Sequence, residues 1–347
     1  MRLVALWASL AACVGWVVTV VVWRTAVLRS LWQRRPRVDL SAQLRDPLMS
    51  DTVWSEHART CGHVLSDTRV QYPVFYQGHR MPDFIIAGFQ KSGTSALVEN
   101  LARAYDNKTL IIRHSEIGYF TSPEVYGLGP KVYSAFLLRR NAANNDTAVN
   151  ATVSILGERS TDYVFHPKFA ARVLLHNPKV KIVLVMREPV ARAISEYRMR
   201  VENKQETRAL PHALADELVE LERTHLRVRP LGLATARRMG RYLEHGMYHR
   251  QITHTLALLP RCQLHIMLSE RLRNKTTRED EMNRLASFLG LAARRQWSLA
   301  TWNVRSRPYD FNSSEGLEAN RVLRNFYQSE NEKLIQLFGQ PIAEWMG

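Results

Sequence analysis

The residue types best suited to chemistry are concentrated in GFQKSGTSAL, Gly88 to Leu97. Lys91 supplies a mobile cation, Ser92, Thr94 and Ser95 supply hydroxyl donors, and Gly93 relaxes the backbone among them. An apolar run with strand character, DFIIAG, leads in, and a segment with helical apolar spacing, TSALVENLARAY, leads out. A strand that turns at glycine into a helix N-terminus aims free N–H groups and the positive end of the helix dipole at an anion. In the ATP/GTP phosphate loop, G-x-x-x-x-G-K-[ST], Lys follows the second glycine. Here Lys91 precedes Gly93, so the segment reads as a shorter anion cradle. The alternative is an ordinary strand–helix turn that uses Gly and Ser only for geometry.

A second group of the same kind lies in KVKIVLVMREPVARAISEYRMR, Lys179 to Arg200. Val180 to Met186, broken only by Lys181, is an apolar run rich in β-branched residues, as expected of a strand buried on both faces of a parallel sheet. Arg187 falls at its carboxyl end, where open α/β sheets bind ligands. Glu188 and Pro189 open a helix, with proline at an early position where its missing N–H is harmless. Ser195 lies about two turns into that helix. A guanidinium fork with a neutral hydroxyl suits phosphate oxygens.

The two segments together resemble the 5′-phosphosulfate loop and the 3′-phosphate motif (R-x-P-x-x-R-x-x-S-x-Y) of sulfotransferases. Those enzymes use 3′-phosphoadenosine 5′-phosphosulfate as donor. The resemblance implies that Lys91, Ser92, Gly93, Thr94 and Ser95 hold the 5′-phosphosulfate, and that Arg187 and Ser195 hold the 3′-phosphate. Arg192 and Tyr197 are assigned to packing or to the helix surface.

The resemblance runs from about Pro82 to the end of the chain, toward membrane-anchored carbohydrate sulfotransferases of the heparan sulfate glucosaminyl 3-O- and N-sulfotransferase family. Where those enzymes read K-E-x-H-F-F, this chain reads RHSEIGYF, Arg113 to Phe120. Glu116 falls on the family's catalytic base, while Gly118 and Thr121 depart from the family's His and Asp. GERSTDYVFHP, Gly157 to Pro167, resembles E-K-[ST]-x-x-Y-F and puts Arg159 in the acceptor or sulfuryl site in place of Lys. A Glu158–Arg159 surface pair is the plainer reading. Gly240 to Leu259 resembles the family's G-x-Y-x-x-x-L-x-x-W/H helix and brings in Tyr248 as a further contact. The family's Cys-bounded loop ending K-G-R is absent, and Arg305 or Arg307 is the substitute in TWNVRSRPYDFNSSEG.

These residues require a scaffold of strands feeding helices. We expect an α/β, P-loop-like fold: a central parallel sheet flanked by helices in one catalytic domain. Further strands are expected at TLII and in CQLHIMLSERL, and further helices at TREDEMNRLASFLGL and Phe326–Trp345. Glu202 to Met239 reads as a charged amphipathic helix forming a solvated face or lid. The expected organisation is a short tail (1–2), a transmembrane signal anchor (3–23), a stem and lead-in (24–80) and the sulfotransferase domain (81–347). Leu3 to Trp23 is apolar without a charged residue and long enough to cross a bilayer core, although a cleaved signal is the alternative.

The chain has 347 residues and a formal net charge of +16. Arg2, together with the six Arg and two Asp of Arg24–Met49, accounts for five of these units, so about +11 belongs to the rest of the chain. A basic body suits an anionic donor and an acidic acceptor. No zinc spacing, RNP-like motif or helix-turn-helix signature supports nucleic acid. The three cysteines, Cys13, Cys61 and Cys262, form no C-x-x-C or Cys/His cluster, so no metal site is expected. Cys61 and Cys262 either pair or remain free thiols.

Five N-x-[ST] acceptors (Asn107, Asn145, Asn150, Asn274 and Asn312) favour a luminal body, whereas the arginines after the apolar run favour a cytosolic one. The resemblance decides for a single-pass type II Golgi protein. The expected activity is sulfuryl transfer to a hydroxyl or amino group of an acidic or neutral glycan, with a heparan-sulfate-like glucosaminyl residue as first choice. Alternatives are another glycan or small alcohol as acceptor, and a membrane-anchored protein that binds anions or glycans without catalysis.

Overall fold

The computed structural model describes residues 73–113, 115–138, 154–225, 240–297 and 309–346. A short antiparallel hairpin comes first, β1 (Phe75–Tyr76) and β2 (His79–Arg80). Arg80 is buried on Asp83 at 2.6 Å, so the end of the segment expected as lead-in packs with the body. The chain continues through β3 (Phe84–Gly88), α1 (Thr94–Ala104), β4 (Leu110–Arg113), α2 (Pro123–Gly127), α3 (Gly129–Leu138) and β5 (Ile155–Arg159). Next come α4 (Phe169–His176), β6 (Lys181–Met186), α5 (Pro189–Glu202) and α6 (Leu210–His225). The chain then forms α7 (Tyr248–Leu256), β7 (Leu264–Leu268), α8 (Ser269–Arg273), α9 (Lys275–Leu289) and α10 (Ser314–Phe338).

Strands β3 to β7 form a parallel sheet in the order β4-β5-β3-β6-β7. Because side chains alternate across a strand, each apolar run feeds two cores. Ile85, Ala87, Leu156, Ile182, Leu184 and Ile266 join one core, with Phe169 and Val173 of α4, Ile252 of α7 and Phe338 of α10. Phe84, Ile86, Ile112, Val183, Val185 and Met267 join the other, with Leu97 and Leu101 of α1 and Leu285 and Leu289 of α9. Helices thus cover both faces, as the runs of apolar sequence require.

Three expectations change in detail. The segment Gly240–Leu259 is helical only from Tyr248, after a single turn of 3₁₀ helix at Glu244–Gly246. The last long helix starts earlier than Phe326, because Ser313 caps it by accepting from the Gly316 N–H at 3.1 Å. It ends at Phe338, where Gly339 turns left-handed at φ 70°. Helix α6 is not simply a solvated face. Its Leu210, Ala213, Leu214 and Leu221 are buried in a third core with Val190 and Ile194 of α5 and Leu323 and Tyr327 of α10.

Among the described residues, no helix is long and apolar enough to cross a membrane. Leu3–Trp23, Cys13, Cys61, Asn145, Asn150, Arg305 and Arg307 lie outside the described residues. Cys262 is a buried thiol. Asn107, Asn274 and Asn312 are exposed.

Candidate active site

Strands β3 and β6 are neighbours, with Gly88 opposite Leu184, so the loops leaving their carboxyl ends meet. This is the edge at which open α/β sheets collect ligands. The Phe89 N–H donates to the Val185 carbonyl at 3.1 Å, and Arg187 Nη1 donates to the Lys91 carbonyl at 3.3 Å. The two segments that the sequence separates by about ninety residues are therefore tied directly.

Gly93 is the residue before the first turn of α1 and takes φ 96°, a region open to glycine. Lys91 takes φ 68°, a costly conformation for a residue with a Cβ and one that clusters at ligand sites. No side chain caps α1. Its N-cap, Gly93, has no side chain to bond the first-turn N–H groups, and Lys91 lies half-buried beside that terminus. Ser92 and Thr94 are buried and Ser95 is exposed.

Arg187 stands just past β6. Burial, and then the neighbouring Arg273 guanidinium, push it down to about 10. Its Nε is buried without a hydrogen-bond partner among the described residues. Tyr248 is fully buried and donates its hydroxyl to the Arg187 carbonyl at 2.8 Å, while its ring packs edge-on against Phe89 at 4.4 Å. Tyr248 thus braces the Arg187 backbone and the anion loop from behind. Ser195 is half-buried on α5. The helix start is as read from sequence: Glu188 caps α5, accepting from the Val190 and Ala191 N–H groups at 3.0 and 2.7 Å. Arg192 is wholly buried, donating to Glu196 at 2.8 Å and to the Tyr242 carbonyl. Burial would raise Glu196, but His245 and Arg192 hold it well below the usual carboxylate range.

The other side of the site comes from β4 and β5. Glu116 follows β4, and its Oε1 accepts from Thr161 Oγ1 at 2.8 Å and lies 3.4 Å from Arg159 Nη1. Arg159 Nη1 also donates to Ser95 Oγ at 3.0 Å, so one guanidinium joins the anion loop to Glu116. This replaces the surface-pair reading of Glu158 and Arg159. Neighbours on a strand face opposite ways, and Glu158 points into the protein.

Glu158 is fully buried and accepts from Tyr133, from Tyr163 at 2.5 Å and from Ser160 at 2.8 Å. Burial raises its carboxyl, against the pull of those three hydroxyls. Ser160 Oγ in turn accepts from the Ile117 and Gly118 N–H groups at 3.1 and 3.3 Å, which fixes the loop carrying Glu116. Gly118 has φ 68°, so the departure from the family's His supplies a tight turn here. Thr121 bonds back to the Gly118 carbonyl at 3.2 Å and is buried.

Sequence reading did not find Thr161, which falls at an unspecified position of E-K-[ST]-x-x-Y-F. Tyr133 carries no local signal, whereas Tyr163 falls on the motif's Tyr. Among the described residues, no group of three or more His, Cys, Asp or Glu could hold a metal ion.

The fold is similar to that of a solved sulfotransferase from Alicyclobacillus acidocaldarius. The TM-score is 0.55 at 22% identity, covering 77% of this chain and 99% of that one. Among curated proteins, human heparan sulfate glucosamine 3-O-sulfotransferase 5 is 29% identical over 126 residues, 36% of this chain and 33% of that protein. The match therefore spans about a third of that relative's length. Human heparan sulfate glucosamine 3-O-sulfotransferase 6 is 26% identical over 283 residues, 76% of this chain and 74% of that protein. The model of the sulfotransferase domain matches residues 81–324, a span that takes in the anion loop, Glu116, Arg159 and Arg187, and by that match the chain belongs to the sulfotransferase family.

Proposed function

We propose that the protein transfers a sulfuryl group from 3′-phosphoadenosine 5′-phosphosulfate to a hydroxyl or amino group of a glycan, with a heparan-sulfate-like glucosaminyl residue as first acceptor. The observation that carries this reading is the meeting of the uncapped α1 loop and Arg187 on adjacent strand ends, held by the Arg187–Lys91 bond. A donor with two separated anionic groups suits those two features, and the unpartnered buried Nε of Arg187 suits a phosphate oxygen. The similarity to heparan sulfate glucosamine 3-O-sulfotransferases 5 and 6, which are named for that acceptor, supports the choice of glycan.

When bound, the donor supplies the sulfuryl group and leaves as adenosine 3′,5′-bisphosphate. The chain's own residues divide the remaining work. The first-turn amides of α1 with Lys91, Ser92, Thr94 and Ser95 hold the 5′ group, and Lys91 offsets charge on the departing phosphate oxygen. Arg187 and Ser195 hold the 3′-phosphate. Glu116 takes the proton that the acceptor loses as its oxygen or nitrogen bonds to sulfur and the sulfur–phosphate oxygen bond breaks. Arg159 stands between Ser95 and Glu116, where sulfuryl oxygens and acceptor would meet. We read Leu3–Trp23 as the anchor of a luminal, Golgi-type enzyme, from its uncharged apolar length.

The test is transfer of labelled sulfate from the donor to a panel of desulfated polysaccharides and small alcohols, with analysis of the sulfated position. Lys91→Ala should lower turnover by at least about a hundredfold, with unchanged circular dichroism. A folded Lys91→Ala protein with near-normal turnover refutes the assignment. Donor binding with no transfer to any acceptor would favour a non-catalytic binder instead.

A further inference from the structure

Thr161 follows β5 and is 2% exposed, yet it spends its hydroxyl on a residue of another loop, Glu116. The Thr161 backbone is well anchored. The preceding Ser160 N–H donates to the Ile86 carbonyl of β3 at 3.1 Å, and the Ser160 carbonyl accepts from the Tyr163 N–H at 3.2 Å. Threonine is branched at Cβ and stiff at χ1, so a hydroxyl on this fixed backbone has a fixed direction.

Glu116 differs in kind, because its side chain is 38% exposed and its loop is irregular. Among the described residues, the polar contacts of the carboxylate fall on one oxygen: Oε1 meets Thr161 at 2.8 Å and Arg159 at 3.4 Å. Among the described residues, Oε2 carries no hydrogen bond. A half-exposed Glu is otherwise free to rotate, and rotamer freedom in the base is lost rate.

We propose that Thr161 is a positioning residue that holds Oε1 of Glu116, so that Oε2 is the oxygen presented to the acceptor. The assignment rests on Glu116 acting as the base. Arg159 also approaches Oε1, but it is shared with Ser95 of the anion loop. Thr161 is the partner that does not belong to the donor side. Glu116 therefore keeps its orientation when donor phosphosulfate competes for Arg159 and Ser95.

The experiment compares Thr161→Val, Thr161→Ser and Glu116→Gln, singly, and the Thr161→Val/Glu116→Gln pair, in the full chain with the best acceptor from the panel above. Valine keeps the shape and removes the hydroxyl, while serine keeps the hydroxyl. For Thr161→Val, kcat should fall about tenfold or more, with the KM for donor and the affinity for adenosine 3′,5′-bisphosphate within about twofold of the wild type. Thr161→Ser should restore most of kcat. Adding Thr161→Val to Glu116→Gln should cost nothing further, since the hydroxyl acts through the carboxylate.

Wild-type kcat in Thr161→Val, failure of serine to rescue, or losses that multiply in the double variant would each overturn the proposal. If Glu116→Gln alone retains full turnover, the base reading itself fails. If Glu116→Gln is inactive while Thr161→Val is unimpaired, only the positioning role fails. Should Thr161→Val not fold, Thr161→Ala and Thr161→Ser provide the same contrast.

Discussion

Removing the Glu158 carboxyl should cost stability out of proportion to its size. In Glu158→Ala the hydroxyls of Tyr133, Tyr163 and Ser160 lose their common acceptor in a site with no solvent access. Each orphaned buried donor costs roughly 1–3 kcal/mol. The simple sum is too large, because the substitution also removes a carboxyl whose burial is itself unfavourable. The expected net loss is about 4 kcal/mol, a large part of the ~5–15 kcal/mol by which a domain is stable. Glu158→Gln keeps the volume and one carbonyl acceptor, and should lose about 1–2 kcal/mol. Urea unfolding followed by tryptophan fluorescence measures both values, provided the slope against denaturant is unchanged. An alanine variant within about 1 kcal/mol of the wild type, or less damaged than the glutamine variant, refutes the reasoning. Because Ser160 also holds the Ile117 and Gly118 N–H groups, Glu158→Ala should lower turnover even where the protein remains folded.

Two further outcomes follow from buried groups beside the site. Tyr248→Phe removes the 2.8 Å bond to the Arg187 carbonyl and keeps the ring on Phe89, so adenosine 3′,5′-bisphosphate should bind about five- to tenfold more weakly by calorimetry. Glu217, which accepts from the Leu243 and Glu244 N–H groups at 3.0 and 2.9 Å, is pushed by burial from 4.5 up to about 8. The folded state therefore binds that proton more tightly than the unfolded chain does. Stability should fall as pH rises from about 4.5 toward 8 and level off above it, and Glu217→Gln should flatten the slope in melting curves taken across that range.

Much of the candidate site was legible because it is local. The anion loop, the strand before it and the helix after it sit in one short segment, and the Glu188–Pro189 helix start is written in adjacent residues. The α/β architecture was legible because β3 and β6 are buried on both faces and so read as near-continuous apolar runs. The brace beneath Glu116 was not. Tyr133 reaches Glu158 from α3, and nothing in the spacing of a buried tyrosine and a glutamate announces the contact. Thr161 escaped for the same reason, since a threonine looks alike whether it faces water or a carboxylate. Helix α6 was misjudged because its charged residues suggested solvent. Glu217 of α6 and Glu206 in the loop before it instead turn inward onto backbone N–H groups, the Tyr242 hydroxyl and Arg208.

The strand order β4-β5-β3-β6-β7 divides labour along the sheet. On the reading above, everything that grips the donor hangs from β3 and β6, while Glu116, Arg159 and Thr161 hang from β4 and β5 on the opposite flank. The two flanks meet along the β3–β5 pairing, and Arg159 on Ser95 adds a side-chain link between them. If the proposed roles hold, changes in residues 110–163 should alter the acceptor more than the donor. A chimera exchanging only that flank with a relative should inherit the relative's acceptor and keep this chain's donor affinity.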